Sequence, residues 1–144
     1  MNKIRWGILG CGRIARKFAS DLLLVEDAVL VAAGSRSEAS VKAFAEEFPL
    51  RYTHSSYEEL VQNAEVDVIY VASPHAFHKE HTLLCLDHGK AVLCEKAFAL
   101  NEKDARLMIE KAQTKGLFLM EALWTKFMPH YQLVMQWIRD GKLG

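Results

Sequence analysis

Gly10, Gly12 and Ala15 fill a G-x-G-x-x-G/A spacing inside the stretch IRWGILGCGRIA, Ile4 to Ala15. An apolar run enters the pattern and a helical periodicity leaves it. That is the arrangement in which a strand-to-helix turn presents backbone N–H groups to a diphosphate. Each small residue answers a separate need. At Gly10 the chain turns sharply out of the strand. At Gly12 a side chain would keep a diphosphate away from the backbone, and at Ala15 the helix must pack closely on the strand. The helix start adds unpaired N–H groups and the positive end of its dipole. Chance glycines in a structural turn would give the same spacing, but this one stands at the head of an alternating β/α chain.

A second constellation lies about 20 residues further on, where a site selective for an unphosphorylated ribose carries Asp or Glu. Here the chain reads GSRSE, with Ser35 and Arg36 at the end of the second apolar run. A carboxylate there would repel a ribose 2′-phosphate, whereas an Arg can bond one with two N–H groups at once. The pattern therefore points to NADP(H), with NAD(H) as the other nicotinamide candidate; as an isolated residue, Arg36 also reads as a solvated loop arginine. The missing carboxylate also argues against a methyltransferase on the same sheet, which would need an acid at that place for S-adenosylmethionine.

The elements that must position these residues alternate strictly. Strands are expected at Ile4–Leu9, Val29–Ala33, Leu50–Thr53, Val66–Ala72, Ala91–Cys94 and Leu117–Met120. They are rich in Val, Ile and Leu with little alternation, as in a parallel sheet covered on both faces. Helices are expected at Arg13–Val25, Glu38–Phe48, after Ser56, His78–His88, after Asn101, and Pro129–Arg139. Ser56 with Glu59 makes a capping box, and Gly89 and Gly116 are placed to end helices. In the first helix Ile14, Phe18, Leu22 and Val25 form the expected buried stripe. In the last, Val134, Ile138 and two aromatics form the apolar side. The alternation predicts an α/β fold with a doubly wound parallel sheet of the Rossmann type.

The 144 residues are enough for one ordinary domain, and 18 basic residues balance 18 acidic ones. No charged stripe suits nucleic acid or an anionic membrane surface. No apolar run approaches the ~18 residues of a membrane span, and no signal-peptide pattern stands at the start. Three cysteines, Cys11, Cys85 and Cys94, make no disulfide framework and fit a cytoplasmic protein. His75, His78, His81, Cys85 and His88 lie close in sequence but match no paired zinc spacing, so no metal is expected.

Two further stretches, VASPHAFH after the fourth strand and CEKAFALN after the fifth, fall at strand C-terminal ends, where open α/β sheets bind ligands. With the glycine turn and the later MEALWTKFMP, they resemble the Gfo/Idh/MocA family of oxidoreductases, in particular its dihydrodiol dehydrogenase and sugar reductase branch. The resemblance runs along the whole chain. It implies that residues 1–128 are a Rossmann NAD(P)-binding domain and 129–144 a terminal helix leading to a second α/β domain, beyond GKLG, that holds the substrate. It also implies a homo-oligomer as the full-length enzyme, a sugar, polyol or diol substrate, and little turnover by this chain alone.

Carried over by residue, the resemblance assigns Gly10, Cys11, Gly12, Arg13 and Ile14 to the dinucleotide phosphates and Ser35 and Arg36 to the adenosine ribose. Ala72, Ser73, Pro74 and His75 line the turn under the cofactor, and His78 opens the helix after it. Glu95 and Lys96 match a Glu-Lys-Pro motif whose lysine sits beside the nicotinamide, and Trp124 matches an aromatic at that end. A lysine there makes chemical sense, because oxidising an alcohol requires removal of its proton or stabilisation of the developing charge. Without the resemblance, Lys96 reads equally as an exposed strand-end lysine, His78 as a helix residue without a ligand, and Trp124 as core. Two positions depart from the family: Ala97 replaces the proline, where a cis bond costs about 2.5–4 kcal/mol, and Lys126 stands where that branch carries Arg. A sensor module that binds NADP(H) without catalysis would share every feature except a lysine at the nicotinamide end.

Overall fold

In the computed structural model, which describes residues 3–143, six strands form one parallel sheet in the order β3-β2-β1-β4-β5-β6. The strands are β1 Ile4–Leu9, β2 Ala28–Gly34, β3 Tyr52–His54, β4 Val68–Val71, β5 Ala91–Cys94 and β6 Leu119–Glu121. Six α-helices alternate with or follow them: α1 Arg13–Leu22, α2 Glu38–Glu47, α3 Tyr57–Gln62, α4 His78–Asp87, α5 Glu102–Lys115 and α6 Pro129–Arg139. The order reverses between β1 and β4, which pair directly, so the connections run to opposite edges from that point. A crevice at the strand C-termini follows from this reversal.

Alternation along each strand divides the core in two. Leu9, Ile69, Val71, Val92 and Cys94 pack under α3, α4 and α5 with Leu60, Leu86 and Met108. Ile8, Leu30, Ala33, Tyr70 and Leu93 face the α1–α2 side with Ala15, Ala19 and Phe44. Side-chain caps fix three helix starts. Ser37, Ser56 and Asn101 accept hydrogen bonds from the N–H groups of Ser40, Glu59 and Asp104 at 3.3, 3.1 and 2.9 Å. Glu59 also accepts from the Ser55 N–H at 3.1 Å, a capping box displaced by one residue.

The fold matches the expected α/β sheet and corrects its details. The buried stripe of α1 is Ala15, Ala19 and Leu22, not Ile14, Phe18, Leu22 and Val25; Ile14 and Val25 are exposed. The small residues let α1 lie close to the sheet and turn Ile14 toward the crevice. After Leu22 the chain leaves the helix through turns, with the Leu24 and Val25 N–H groups donating to the Asp21 and Leu22 carbonyls. β4 starts two residues late because the Val66 N–H closes a turn onto Asn63. β6 starts two residues late because the Leu117 N–H still caps α5 at the Ala112 carbonyl. The apolar side of α6 carries no buried residue: Leu133, Val134, Trp137 and Ile138 are exposed. Among the described residues no helix is long and apolar enough to cross a membrane.

Candidate functional site

At the C-terminal end of β1 the chain turns through Gly10 at φ +95°, a conformation that side chains rarely adopt. A Cβ there would also lie 3.2 Å from the Ala72 carbonyl oxygen, so the turn is tight against β4's end as well as left-handed. Gly12 differs. Its φ of −80° is ordinary, and a Cβ would meet nothing within 4 Å. Gly10 is required by the fold, whereas the space beside Gly12 is open. Ala15 is fully buried against the sheet.

The turn is tied down from several sides. The Gly10 N–H donates to the Gly34 carbonyl at 2.9 Å, and the Cys11 thiol points to the same oxygen at 3.8 Å. Cys11 thus offers the crevice only its backbone, and burial pushes its thiol up to about 11. The N–H groups of Gly12 and Arg13 have no acceptor among the described residues, as expected at a helix start. Arg13 has no acidic partner among them either.

Next to this turn is a cavity of about 460 Å³ lined by Arg13, Ile14, Lys17, Ser73, His75, Glu95 and Lys96. All but Lys17 are residues singled out from the sequence. Lys17, one helical turn beyond Arg13, was missed although i,i+4 spacing would have revealed it. Lys96 is exposed to the cavity and Glu95 is buried beneath it. The Glu95 carboxylate accepts from the Tyr70 hydroxyl at 2.5 Å and from the Lys96 N–H at 3.0 Å. Burial, then the neighbouring Glu95, raises the Tyr70 hydroxyl well above the ordinary phenol range. Tyr70 was not foreseen; an apolar strand gives no sign that one of its residues carries the hydrogen bond that fixes a carboxylate.

His78 lies beneath the cavity. Its side chain is completely buried, with Nδ1 at 2.8 Å from the Ala97 carbonyl oxygen and Nε2 at 2.9 Å from that of Ser73. A neutral ring satisfies only one of these acceptors at a time. His78 is wedged between the Ser73 turn and the Lys96–Ala97 turn and bonds one of them at a time, and a ligand in the crevice would meet those turns rather than the imidazole. His81 Nδ1 lies 2.8 Å from the Ser73 hydroxyl, and the exposed His75 ring stands edge-on to His78 at 5.3 Å. Ala72 and Pro74 complete the Ser73 turn, Pro74 preceding a short 3-10 turn at His75–Phe77. The Lys96–Ala97 peptide is cis without a proline. The histidines do not converge with Cys85, and His88 Nδ1 turns back to the Leu84 carbonyl. Among the described residues no group of three or more His, Cys, Asp or Glu could hold a metal.

At the other side of the crevice, Ser35 is buried and its hydroxyl accepts from the Ser37 N–H at 3.2 Å. The exposed Arg36 guanidinium lies over Phe77 at 5.4 Å and Tyr57 at 5.9 Å. The nearest acid in sequence, Glu38, is held by Lys42 at 2.6 Å. An arginine braced on two rings, and without a carboxylate partner among the described residues, suits a phosphate. Trp124 is 58 % exposed, which overturns its reading as a core residue. It lies in a 3-10 turn, Trp124–Phe127, beside an apolar trough of about 560 Å³ shared with Ile14, Phe18, Tyr70 and Met120.

These features fit a nicotinamide dinucleotide on the chain's own geometry: an open cradle at Gly12, and, among the described residues, amides without an acceptor at the α1 start and an arginine without a carboxylate partner at the end of β2. The comparisons with known proteins agree. The chain is 39 % identical over 143 residues to the mouse trans-1,2-dihydrobenzene-1,2-diol dehydrogenase, covering 98 % of this chain and 43 % of that protein. It is 38 % identical over 153 residues to the D-xylose 1-dehydrogenase (NADP(+)) of Hypocrea jecorina, covering 98 % of this chain and 39 % of that protein. A crystal structure of scyllo-inositol dehydrogenase from Lactobacillus casei with bound NAD(H) and scyllo-inositol superposes with a TM-score of 0.91 at 25 % identity, over 99 % of this chain and 43 % of that one. The chain thus spans less than half the length of these relatives. A family model described as "Oxidoreductase family, NAD-binding Rossmann fold" matches residues 4–123, and the chain belongs to the Gfo/Idh/MocA family as its NAD(P)-binding Rossmann domain.

Proposed function

We propose that the chain is the NADP(H)-binding half of an oxidoreductase that moves a hydride between nicotinamide and a hydroxyl or carbonyl carbon of a sugar, polyol or diol. One observation carries this reading: a lysine, Lys96, opens into the same 460 Å³ cavity as the start of α1. A sensor needs the phosphate cradle but has no use for a proton-carrying group beside it, so this juxtaposition favours the enzyme. The diol, xylose and inositol dehydrogenases among the similar proteins support the substrate class.

In this reading the backbone of Gly10 to Ile14 binds the diphosphate, and Ser35 and Arg36 take the 2′-phosphate. The Ser73–His75 turn, with Ala72 and Pro74, supports the cofactor from below. Trp124 borders its nicotinamide end. When bound, the cofactor supplies the hydride donor or acceptor. Lys96 takes up or returns the proton of the substrate hydroxyl, or stabilises its developing charge. Glu95 and His78 hold the turn that aims it. Residues 129–144 would lead from this domain, taken as 1–128, to a second domain that closes the substrate side and supplies the homo-oligomer contacts. Three buried free thiols support a reducing, cytoplasmic setting.

Arg36→Glu tests the cofactor assignment. NADPH affinity should fall by about 100-fold, since an attractive charge becomes a repulsive one, while NADH affinity changes less than about threefold. Fluorescence titration of both cofactors measures the ratio, and equal losses would remove the 2′-phosphate from the proposal. For the reaction, NADP-linked absorbance change by the full-length gene product over a panel of sugars and diols should collapse in Lys96→Met. Retained binding without turnover on any substrate would favour the sensor.

A further inference from the structure

Arg16, one turn into α1, reaches back to the glycine turn. Its Nη1 donates to the Cys11 carbonyl at 2.6 Å, while its Nε faces both oxygens of Glu47, at 2.9 and 3.0 Å, on the last turn of α2. The guanidinium also lies over the Phe44 ring at 5.6 Å. A trans peptide is planar, with its C=O and N–H directed oppositely. Pinning the Cys11 oxygen toward α2 therefore directs the Gly12 N–H away from α2, and that N–H has no acceptor among the described residues. We infer that Arg16 is a positioning residue for the dinucleotide's diphosphate: it sets the Cys11–Gly12 peptide so that the Gly12 amide is aimed before the ligand arrives.

The inference rests on the cofactor reading proposed above and adds to it. None of the residues assigned there fixes this peptide, because Gly10 and the Cys11 thiol are tied to Gly34 while the Cys11 carbonyl is held by Arg16. The guanidinium is suited to the task, since its fork bonds a carbonyl and a carboxylate simultaneously. Without it the Cys11–Gly12 peptide, with a glycine on its C-terminal side, can rotate, and ligand binding must then order it at the expense of affinity.

The test compares ligands that do and do not contain the diphosphate bridge, using the 144-residue chain. In Arg16→Met, which keeps the aliphatic stem over Phe44, the Kd for NADPH should rise about tenfold, while that for adenosine 2′-monophosphate stays within about twofold. The Gly12 amide resonance of the free protein should move and broaden, although the thermal midpoint changes little. Arg16→Lys, which keeps the charge but loses the planar fork that bonds Cys11 and Glu47 from different nitrogens, should give an intermediate loss of about threefold and decides the matter if the Met variant does not fold. Unchanged NADPH affinity in the folded variants overturns the inference. So does an equal loss for both ligands accompanied by a lower thermal midpoint, which is the signature of a merely structural contact. A wild-type chain that binds the 2′-monophosphate but not NADPH overturns the diphosphate assignment itself, and one that binds neither overturns the cofactor reading with it.

Discussion

The two ends of the crevice are built to different degrees of completion. At the glycine-turn end the chain is tied down around the amides it leaves free: the Gly10 N–H and the Cys11 thiol on the Gly34 carbonyl, the Cys11 carbonyl on the Arg16 side chain, and the Ser73 carbonyl beside the His78 ring. At the Trp124 end, an apolar trough of about 560 Å³ lies open, and Trp124 and Phe127 are 58 % and 63 % exposed. Large aromatics left in water at a ligand crevice mark a surface that something else covers. The comparison separates two tasks. In the cofactor reading proposed above, holding the diphosphate falls to the glycine turn and the side chains that fix it, whereas enclosing a reacting carbon needs a wall that the described residues do not form at the Trp124 end.

The most severe way to break the first end is Gly12→Val. Its φ and ψ, −80° and −172°, are acceptable to a β-branched residue, and a Cβ meets nothing within 4 Å. The fold should survive with an unchanged thermal midpoint. Binding of NADPH and NADH should both fall by roughly 100-fold or more, because the branched side chain fills the space needed for the diphosphate. Titration calorimetry on the folded variant measures it. Retained affinity would make Gly12 an incidental glycine and leave the two ends of the crevice alike.

How much of this was legible in the sequence follows the same division. The left-handed turn at Gly10 and the absence of a carboxylate beside Ser35 and Arg36 could be read because local chemistry dictates them, whereas Ser73 and Lys96 were singled out through the resemblance of the stretches that follow their strands. All six helices keep their expected starts, three of them because their side-chain caps, Ser37, Ser56 and Asn101, are local. The misreadings arose where tertiary context decides. Ile14 was taken for core because 3.6-residue periodicity cannot tell a core-facing stripe from one facing a crevice. Taken alone, Trp124 reads as core, because burial depends on what lies opposite; the resemblance instead puts it at the nicotinamide end, and it is exposed. Tyr70 and Arg16 carried no signal, since the partners that give them meaning are 25 residues away at Glu95 and 31 away at Glu47.

A second substitution probes the junction between the two ends. Tyr70 lines the trough, and its hydroxyl holds the carboxylate of Glu95 at the floor of the other cavity. Tyr70→Phe keeps the ring stacked on Phe18, 3.9 Å between centroids, and removes only the donor. Glu95 is 7 % exposed and keeps the Lys96 N–H as its remaining partner. A hydrogen bond to a buried charge contributes about 1.5–3 kcal/mol, so the urea midpoint should fall accordingly with the m-value unchanged. A change below about 0.5 kcal/mol would mean that water reaches Glu95 and replaces the phenol.

The smallest expected effect lies on α6, and its smallness is the point. Trp137 is 38 % exposed, and Leu133, Val134 and Ile138 beside it are exposed as well, so this helix has the composition of a core element without its burial. Truncating a buried aromatic to Ala ordinarily costs about 3–5 kcal/mol through lost transfer energy and the cavity left behind. Trp137→Ala leaves no cavity in this chain, and its stability by urea denaturation should stay within about 0.5 kcal/mol of wild type. In the full-length gene product the same substitution should be markedly destabilising if α6 packs against the second domain proposed above. Equal, small effects in both would leave the helix's apolar side unexplained by that packing. A large effect already in the 144-residue chain would mean that α6 folds back onto the open trough in solution, closing with this chain's own residues the end of the crevice that now stands uncovered.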